Sequence, residues 1–185
     1  MILNRAKFNT AIGSLNYLWT GDKNNPGVVY LGTDHRFFND YLKKINTASN
    51  RIDKKVGSKI DSSISLYEKN SPLIEEKIKS YLDGKIKNTG LNPVFIIGSV
   101  FEKKVWNAAR SIPHGKTLSY GGIAGICRNP DAGRAVGNAL GKNPVLIIVP
   151  CHRIIKSDGN IGGFSAGPGL KKKLLELEGI INNSS

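Results

Sequence analysis

A thiol and an imidazole stand side by side in this 185-residue chain, Cys151 and His152, held between Pro150 and Arg153. A cysteine attacks carbon only as the thiolate, and a nearby imidazole or cation favours that form. The residues before the pair, Val145 to Val149, are an unbroken apolar run. That run predicts a buried strand, ended by Pro150 because proline donates no backbone hydrogen bond. Cys151 is then the residue at which the chain leaves the core. The same pattern fits an inert thiol, since unpaired cysteine is among the most buried residue types. Spacing alone leaves both readings open.

Composition narrows the setting. The chain is 39% hydrophobic and 22% charged, ordinary values for a globular protein. No apolar run approaches the roughly 20 residues of a membrane span, so no membrane partner is expected. Met1 to Lys7 shows neither a continuous apolar region nor a small-residue cleavage site, so no signal peptide is expected. Cys127 and Cys151 lie 24 positions apart and make neither a disulfide framework nor a four-ligand zinc site. No metal and no cofactor are expected. A cytoplasmic location is expected for a prokaryotic protein and a nuclear one for a eukaryotic protein. The net charge is +13. A surface this cationic attracts polyanions, of which nucleic acid is the commonest in cells. The charge is spread, with 15 Lys/Arg against 9 Asp/Glu in residues 1–90 and 12 against 5 in residues 91–185. Composition favours a nucleic-acid partner, although charge alone does not exclude a lysine-rich proteome or a solubility adaptation.

The elements that must hold Cys151 are easiest to read in the second half. Ser99 and Glu102 form a capping box that predicts a helix with Phe101, Val105, Trp106, Ala109 and Ile112 turned inward, stopped at Pro113-His-Gly115. Thr117 to Ile126 reads as a short helix. Asn129 and Pro130 read as N-cap and first residue of another helix, Asp131 to Leu140, ended by Gly141. Two short helices joined by a tight turn in a basic chain outline a helix-turn-helix. Ser157 to Asn160 reads as a hairpin turn. A last helix, Leu170 to Glu178, is expected to bury Leu170, Leu174 and Leu177, with Lys171-Lys-Lys173 on its solvated face.

The first half carries less. Val28 to Thr33 reads as a strand after the turn Gly21 to Gly27, and His35 to Ile45 has helical spacing. Residues 46–71 are polar with little periodicity. Ser71 and Pro72 read as the cap and start of a helix through Leu73, Ile74, Ile78, Tyr81 and Leu82, ended at Gly84. This half shows no chemical constellation. It is expected to be a scaffold domain over residues 1–90, with the boundary near Asn88 to Asn92 and a second domain over residues 91–185.

The helix Asp131 to Leu140 offers only Arg134 and Asn138 as long polar groups behind its first residue. Reading base edges in a major groove usually takes several long polar side chains. Small residues suit a helix pressed against a wall with Arg134 as its one probe, and they suit helix–helix packing equally.

Pro150-Cys-His-Arg153 with Ile154-Ile155 resembles the active-site signature of the O6-alkylguanine-DNA alkyltransferases, the methylated-DNA–protein-cysteine methyltransferases. The pattern extends to Phe101 with Val105-Trp106, Ile112-Pro113 with Gly115, Ser119-Tyr120 and Arg134-Ala-Val-Gly137. It continues through Asn143-Pro144, Gly163-Phe164 and Lys173-Leu-Leu175 with Glu178. It is continuous over about residues 98–180. The resemblance implies an α/β (α+β) fold, with an N-terminal α/β (RNase H-like) domain and a C-terminal, mostly helical, winged helix-turn-helix-like domain. It implies direct repair of double-stranded DNA containing alkylated guanine by a monomer. The alkyl group of O6-alkylguanine, and of O4-alkylthymine, would move once and irreversibly to Cys151.

Site residues follow from the same resemblance. His152 would be a water-mediated base oriented by Glu178, Asn143 the hinge between recognition helix and active site, and Tyr120 the proton donor toward N3 of the base. Ser165, Phe164, Pro150 and the backbone of Cys151 and Ile154 would hold a flipped base. Arg134 would fill its vacated place in the stack. Gly133, Ala135, Gly137, Asn138 and Arg128 would lie along the minor groove, where readout is degenerate. This sequence departs from the family at Asn138, where many members have glycine, and at Phe164, where some have tyrosine. Some members bind zinc in the N-terminal domain, but residues 1–90 hold no cysteine and only His35. Cys127 is expected to be structural. The alternatives are a non-catalytic helix-turn-helix protein that binds lesions or regulates transcription, and a cysteine hydrolase. Related alkyltransferase-like proteins lack the acceptor cysteine, so the presence of Cys151 argues against the first.

Overall fold

The computed structural model describes residues 1–56 and 64–182. The chain opens with an antiparallel hairpin of β1 (Ile2–Thr10) and β2 (Gly13–Gly21). β3 (Pro26–Gly32) pairs antiparallel with β2, after a turn in which the Asp22 carboxylate accepts the amides of Asn24 and Asn25. Helix α1 (His35–Val56) leads to β4 (Ser65–Glu68), parallel to β1. Helix α2 (Pro72–Leu82) leads to β5 (Asn92–Pro93), parallel to β3. The five strands form one mixed sheet in the order β4-β1-β2-β3-β5. With its flanking helices this is the α/β (α+β) architecture expected.

Strand side chains alternate between the two faces of the sheet. Leu18 and Tyr30 pack with Phe38, Tyr41 and Ile45 of α1. Tyr17, Trp19 and Leu31 face the other way, into a cluster with Ile74, Ile78 and Tyr81 of α2 and the apolar residues of the second half. A sheet covered on both sides has no polar face, so Leu15 to Trp19 are all buried and β2 lacks the alternation that marks a half-exposed strand. The helix predicted from Ser71-Pro72 forms as expected, with the Ser71 hydroxyl accepting the Ile74 amide. The helix predicted over His35 to Ile45 runs on to Val56, through part of the stretch in which the sequence shows little periodicity.

The second half is helical. α3 (Val100–Arg110) starts at the predicted capping box and buries Val105, Trp106 and Ala109, but ends before Pro113, with Ser111 as its cap. The Trp106 indole N–H donates to the Ala139 carbonyl at 2.8 Å. Residues Leu118–Ser119 form a short strand, β6, where a helix was expected from Thr117, because they pair in parallel with β7 (Ile154–Ile155). Helix α4 (Tyr120–Ile126) starts only after the Ser119 hydroxyl caps it through the Gly122 amide. Helix α5 spans Gly133–Gly141, not Asp131 to Leu140. Asn129 is not its N-cap: the Asn129 carbonyl accepts the Ala132 amide in a turn, and Ala132 precedes the helix.

The apolar run Val145 to Val149 is buried as predicted but is not a strand. It folds as a tight turn in which the Val149 amide donates to the Val145 carbonyl at 3.0 Å and Ile147 stands at φ 70°. Its first residues lie against β3. The Leu31 amide donates to Pro144 and the Leu146 amide donates back to Leu31. The turn at Ser157 to Asn160 closes through the Lys156 amide and Asn160 carbonyl, yet no hairpin forms, since β7 takes β6 as its partner. Helix α6 (Pro168–Leu177) buries Lys171, Leu174 and Leu175, while Leu170 and Leu177 are half-buried. Lys172 and Lys173 are exposed as expected; Lys171 is not.

Candidate active site

Cys151, His152 and Arg153 form one 3-10 turn after Pro150, and all three are buried. This turn sends successive side chains different ways. Cys151 lines a cavity of about 420 Å³ together with Tyr120, Leu140, Phe164 and Ser165 and the inner residues of α5. That volume suits a small organic group. His152 and Arg153 lead instead to Glu178, the residue that caps α6.

Asn143 organises the thiol side. Its carboxamide Nδ2 donates to the Val149 carbonyl at 3.0 Å and to Cys151 Sγ at 3.1 Å, while its Oδ1 accepts the Val145 amide at 3.0 Å. One side chain therefore closes the apolar turn and holds the sulfur. Burial pushes the Cys151 thiol pKa up, against the Asn143 hydrogen bond and the Lys171 charge, which pull it down. At neutral pH the resting residue is a thiol, and a base is needed to make it a nucleophile.

Glu178 organises the other side. His152 Nε2 lies 2.8 Å from Glu178 Oε1, and Arg153 Nε and Nη2 reach the same oxygen at 3.0 and 2.8 Å. The Gly115 amide donates to Oε2 at 2.9 Å from a turn in which Gly115 takes φ 73°, a conformation suited to glycine. Burial alone raises the Glu178 pKa. The bonds from His152, Arg153, Tyr81 and Gly115 more than reverse that and hold the carboxyl well below the usual range. His152 goes the same way for a different reason: burial lowers its pKa despite the pull of Glu178, so the imidazole is neutral. A neutral ring facing a carboxylate through Nε2 must carry its proton there. Nδ1 is then the bare, basic nitrogen, and it has no partner among the described residues.

The outer wall of the cavity is α5. Arg134, Ala135 and Asn138 are exposed, Gly133 and Gly137 half-buried, and Arg128 is exposed on the turn before the helix at φ 56°. Helix packing does not account for these small residues. A Cβ on Gly133 would meet nothing within 4 Å, and one on Gly137 would make ordinary contact with the Tyr120 ring at 3.7 Å.

Residues 100–180 match the family described as 6-O-methylguanine DNA methyltransferase, DNA binding domain. Over that stretch the chain is similar to the 6-O-methylguanine DNA methyltransferase family. It is 49% identical to the inducible methylated-DNA–protein-cysteine methyltransferase of Bacillus subtilis (strain 168) over 102 residues, which are 55% of this chain and 56% of that protein. The Methanosarcina acetivorans protein is 44% identical over 103 residues, 56% of this chain and 65% of its own. The chain thus spans less than two thirds of these relatives' lengths. Solved structures extend further. Mycobacterium tuberculosis OGT in complex with DNA superposes with TM-score 0.70 at 27% identity, over 96% of this chain and 92% of that one. The O6-methylguanine-DNA methyltransferase of Pyrococcus kodakaraensis KOD1 gives 0.60 at 27% identity, over 96% and 99%.

Within this matched region the structure brings Cys151, Tyr120, Phe164 and Ser165 to one cavity with Arg134, Gly133, Gly137 and Asn138, and sets Asn143 against the Cys151 sulfur. It joins His152 to Glu178 behind that cavity. Two predicted pocket residues lie elsewhere. Pro150 lines a separate cleft of about 540 Å³ with Ile147, Ile148 and Arg153. Ile154 is buried, and its carbonyl is taken by Lys171 Nζ at 2.5 Å.

Two site residues escape the sequence reading. Lys171 is fully buried, its Nζ also 3.3 Å from the Gly163 carbonyl and 6.0 Å from the centre of the Tyr120 ring. Burial lowers its pKa to about 8, with the Cys151 charge working the other way. Its signal is positional: residues 171, 174, 175 and 178 are one helical stripe, and a lysine there belongs to the core face. Tyr81, from the half that shows no chemical constellation in the sequence, donates its hydroxyl to Glu178 Oε1 at 2.5 Å. A tyrosine on the buried stripe of α2 was the available sign, since a buried phenol seeks a partner.

Proposed function

We propose that this protein repairs double-stranded DNA directly, moving the alkyl group of O6-alkylguanine, and of O4-alkylthymine, onto Cys151 in a single turnover. The observation that carries the proposal is that Cys151 lines the cavity behind a flat, arginine-bearing helix, in the region similar to the methyltransferase family. Residues 91–185 bind and react; residues 1–90 are the scaffold. The lesion sits inside a duplex, so its nucleotide must be extruded, at a cost of a few kcal/mol. Arg134 occupies the vacated place in the stack, and Gly133, Ala135 and Gly137 let α5 approach the minor groove, with Arg128 and Asn138 beside it.

In the chemical step the S–C bond forms as the C–O6 bond breaks, and the electron pair passes to the guanine ring. His152 takes the thiol proton at Nδ1 through a water, while Glu178 holds the imidazole by Nε2–H. Tyr120 supplies a proton to N3 of the departing base. Burial, followed by the charge at Cys151, raises the Tyr120 pKa, so the phenol keeps its proton until negative charge develops beside it.

Intact-mass analysis after incubation with an O6-methylguanine duplex tests the proposal. One methyl per protein, located on the Cys151 peptide and absent from Cys151→Ala, is the expected result. DNA binding without mass gain identifies a non-catalytic lesion binder instead, and repeated turnover on an ester or amide identifies a hydrolase.

A further inference from the structure

Glu178 Oε1 is oversubscribed. Four donor atoms surround it: Tyr81 Oη at 2.5 Å, His152 Nε2 at 2.8 Å, Arg153 Nη2 at 2.8 Å and Arg153 Nε at 3.0 Å. A carboxylate oxygen offers about two lone-pair directions, so donors on one oxygen compete. Arg153 is anchored independently, by Nη1 to the Ile112 carbonyl at 2.6 Å and by Nε to Oε2 at 3.0 Å. The competition that remains is between the phenol and the imidazole, whose Nε2 lies only 3.4 Å from the Tyr81 oxygen.

We propose that Tyr81 is a positioning residue for the transfer reaction, sharing Glu178 Oε1 with His152 and thereby setting how tightly the carboxylate holds the imidazole. The inference rests on the alkyl-transfer reading for its link to rate, and not for its link to His152. It gives the N-terminal half a defined task at the site. Tyr81 is fixed there by α2, whose Ile74 and Ile78 lock into the core beside it, and by the edge contact of its ring with His114 at 6.3 Å.

The sign of the effect follows from the competition. Each donor that draws on Oε1 weakens the carboxylate's pull on the imidazole N–H and keeps the ring less basic. The charged or titratable groups that bear on His152 are Glu178 and Lys171 from α6 and its cap, Arg153 and Cys151 from its own turn, and Tyr81 from α2, with His114 behind the Tyr81 ring. Removing the Tyr81 hydroxyl hands Oε1 to His152, which then titrates at higher pH.

The test is the titration of His152, followed by NMR of its ring nitrogens in the full-length protein. Tyr81→Phe is expected to raise the midpoint by about half a unit to one unit, a range typical of gaining one charge-assisted hydrogen bond. 3-Fluorotyrosine at position 81, a stronger donor, is expected to lower it. The acid limb of the pH–rate profile for methyl transfer moves in the same two directions, with DNA affinity unchanged. A purely structural tyrosine gives a change in melting temperature and no opposed pair of titration shifts. A His152 midpoint that stays put in both proteins overturns the inference even if transfer is confirmed. If Tyr81→Phe does not fold, the fluorinated protein decides alone. A wild type that transfers nothing sinks the reaction proposed for Cys151 and leaves the titration test standing.

Discussion

The chain has two cysteines, both buried and both with thiol pKa values raised by burial, and they occupy opposite kinds of turn. Cys127 caps α4. Its amide donates to the Ile123 carbonyl, its carbonyl accepts Lys104 Nζ at 2.6 Å, and among the described residues nothing hydrogen-bonds its sulfur. Cys151 stands where Asn143 donates to its sulfur, at a cavity, with the His152–Glu178 pair behind it. A lysine near each thiol pulls its pKa down, so a nearby cation does not separate the two. The difference is that the polar groups around Cys127 serve the backbone, while those around Cys151 serve the sulfur and a base. Burial makes a thiol inert unless the fold also brings a donor, a base and an opening.

That contrast can be broken from the Cys151 side. Glu178→Gln strands Arg153 without its counter-charge, and breaking a buried pair in this way costs about 3–5 kcal/mol. Denaturant unfolding at pH 7 measures the loss, and methyl transfer should fall with it as His152 loses its orientation. The pH dependence has a definite sign. The folded Glu178 pKa is depressed, so its stabilisation is fully present above the ordinary glutamate value, about 4.3, and is lost as pH falls below it. The variant lacks that acid slope. If Cys151 in Glu178→Gln still transfers at the wild-type rate, the base assigned here has no part in the distinction between the two thiols.

A milder intervention is Lys171→Met. Loss of the ammonium leaves the Cys151 thiolate less favoured, and a one-unit shift corresponds to about a tenfold drop in alkylation by iodoacetamide at pH 7. Because Lys171 titrates at about 8, the gap between wild type and variant should be full below that pH and close above it. Rates measured from pH 6 to 10 check this, and parallel curves would remove Lys171 from the account. The smallest effect belongs to Cys127→Ala: about 1 kcal/mol of stability for a small buried truncation, read by thermal unfolding, with methyl transfer untouched.

What the sequence showed follows how local each signal is. The N-cap at Ser71 and the capping box at Ser99 are fixed by neighbours within three residues, and both helices start where predicted. β2 left no clear trace, because Leu15 to Trp19 is buried on both faces. Asn129 looked like a helix cap, yet its carbonyl, not its side chain, makes the bond that matters. The run Val145 to Val149 was legible as buried but not as a turn, since Asn143 supplies the bonds that bend it. Cys151, His152 and Glu178 could be named from their resemblance to a family. Tyr81 could not, for it reaches Glu178 across 97 positions of chain.

The bend at Ile147 has a mechanical consequence. A β-branched residue at φ 70° is strained, typically by about 1–3 kcal/mol, and persists only where its surroundings over-determine it. Here the surroundings include Leu31, which grips Pro144 and Leu146 from the N-terminal sheet. The two halves are thus a loaded clasp, with the sheet as the catch. Loosening Leu31 would remove two of the bonds that hold the strained turn next to Asn143, the donor to the Cys151 sulfur.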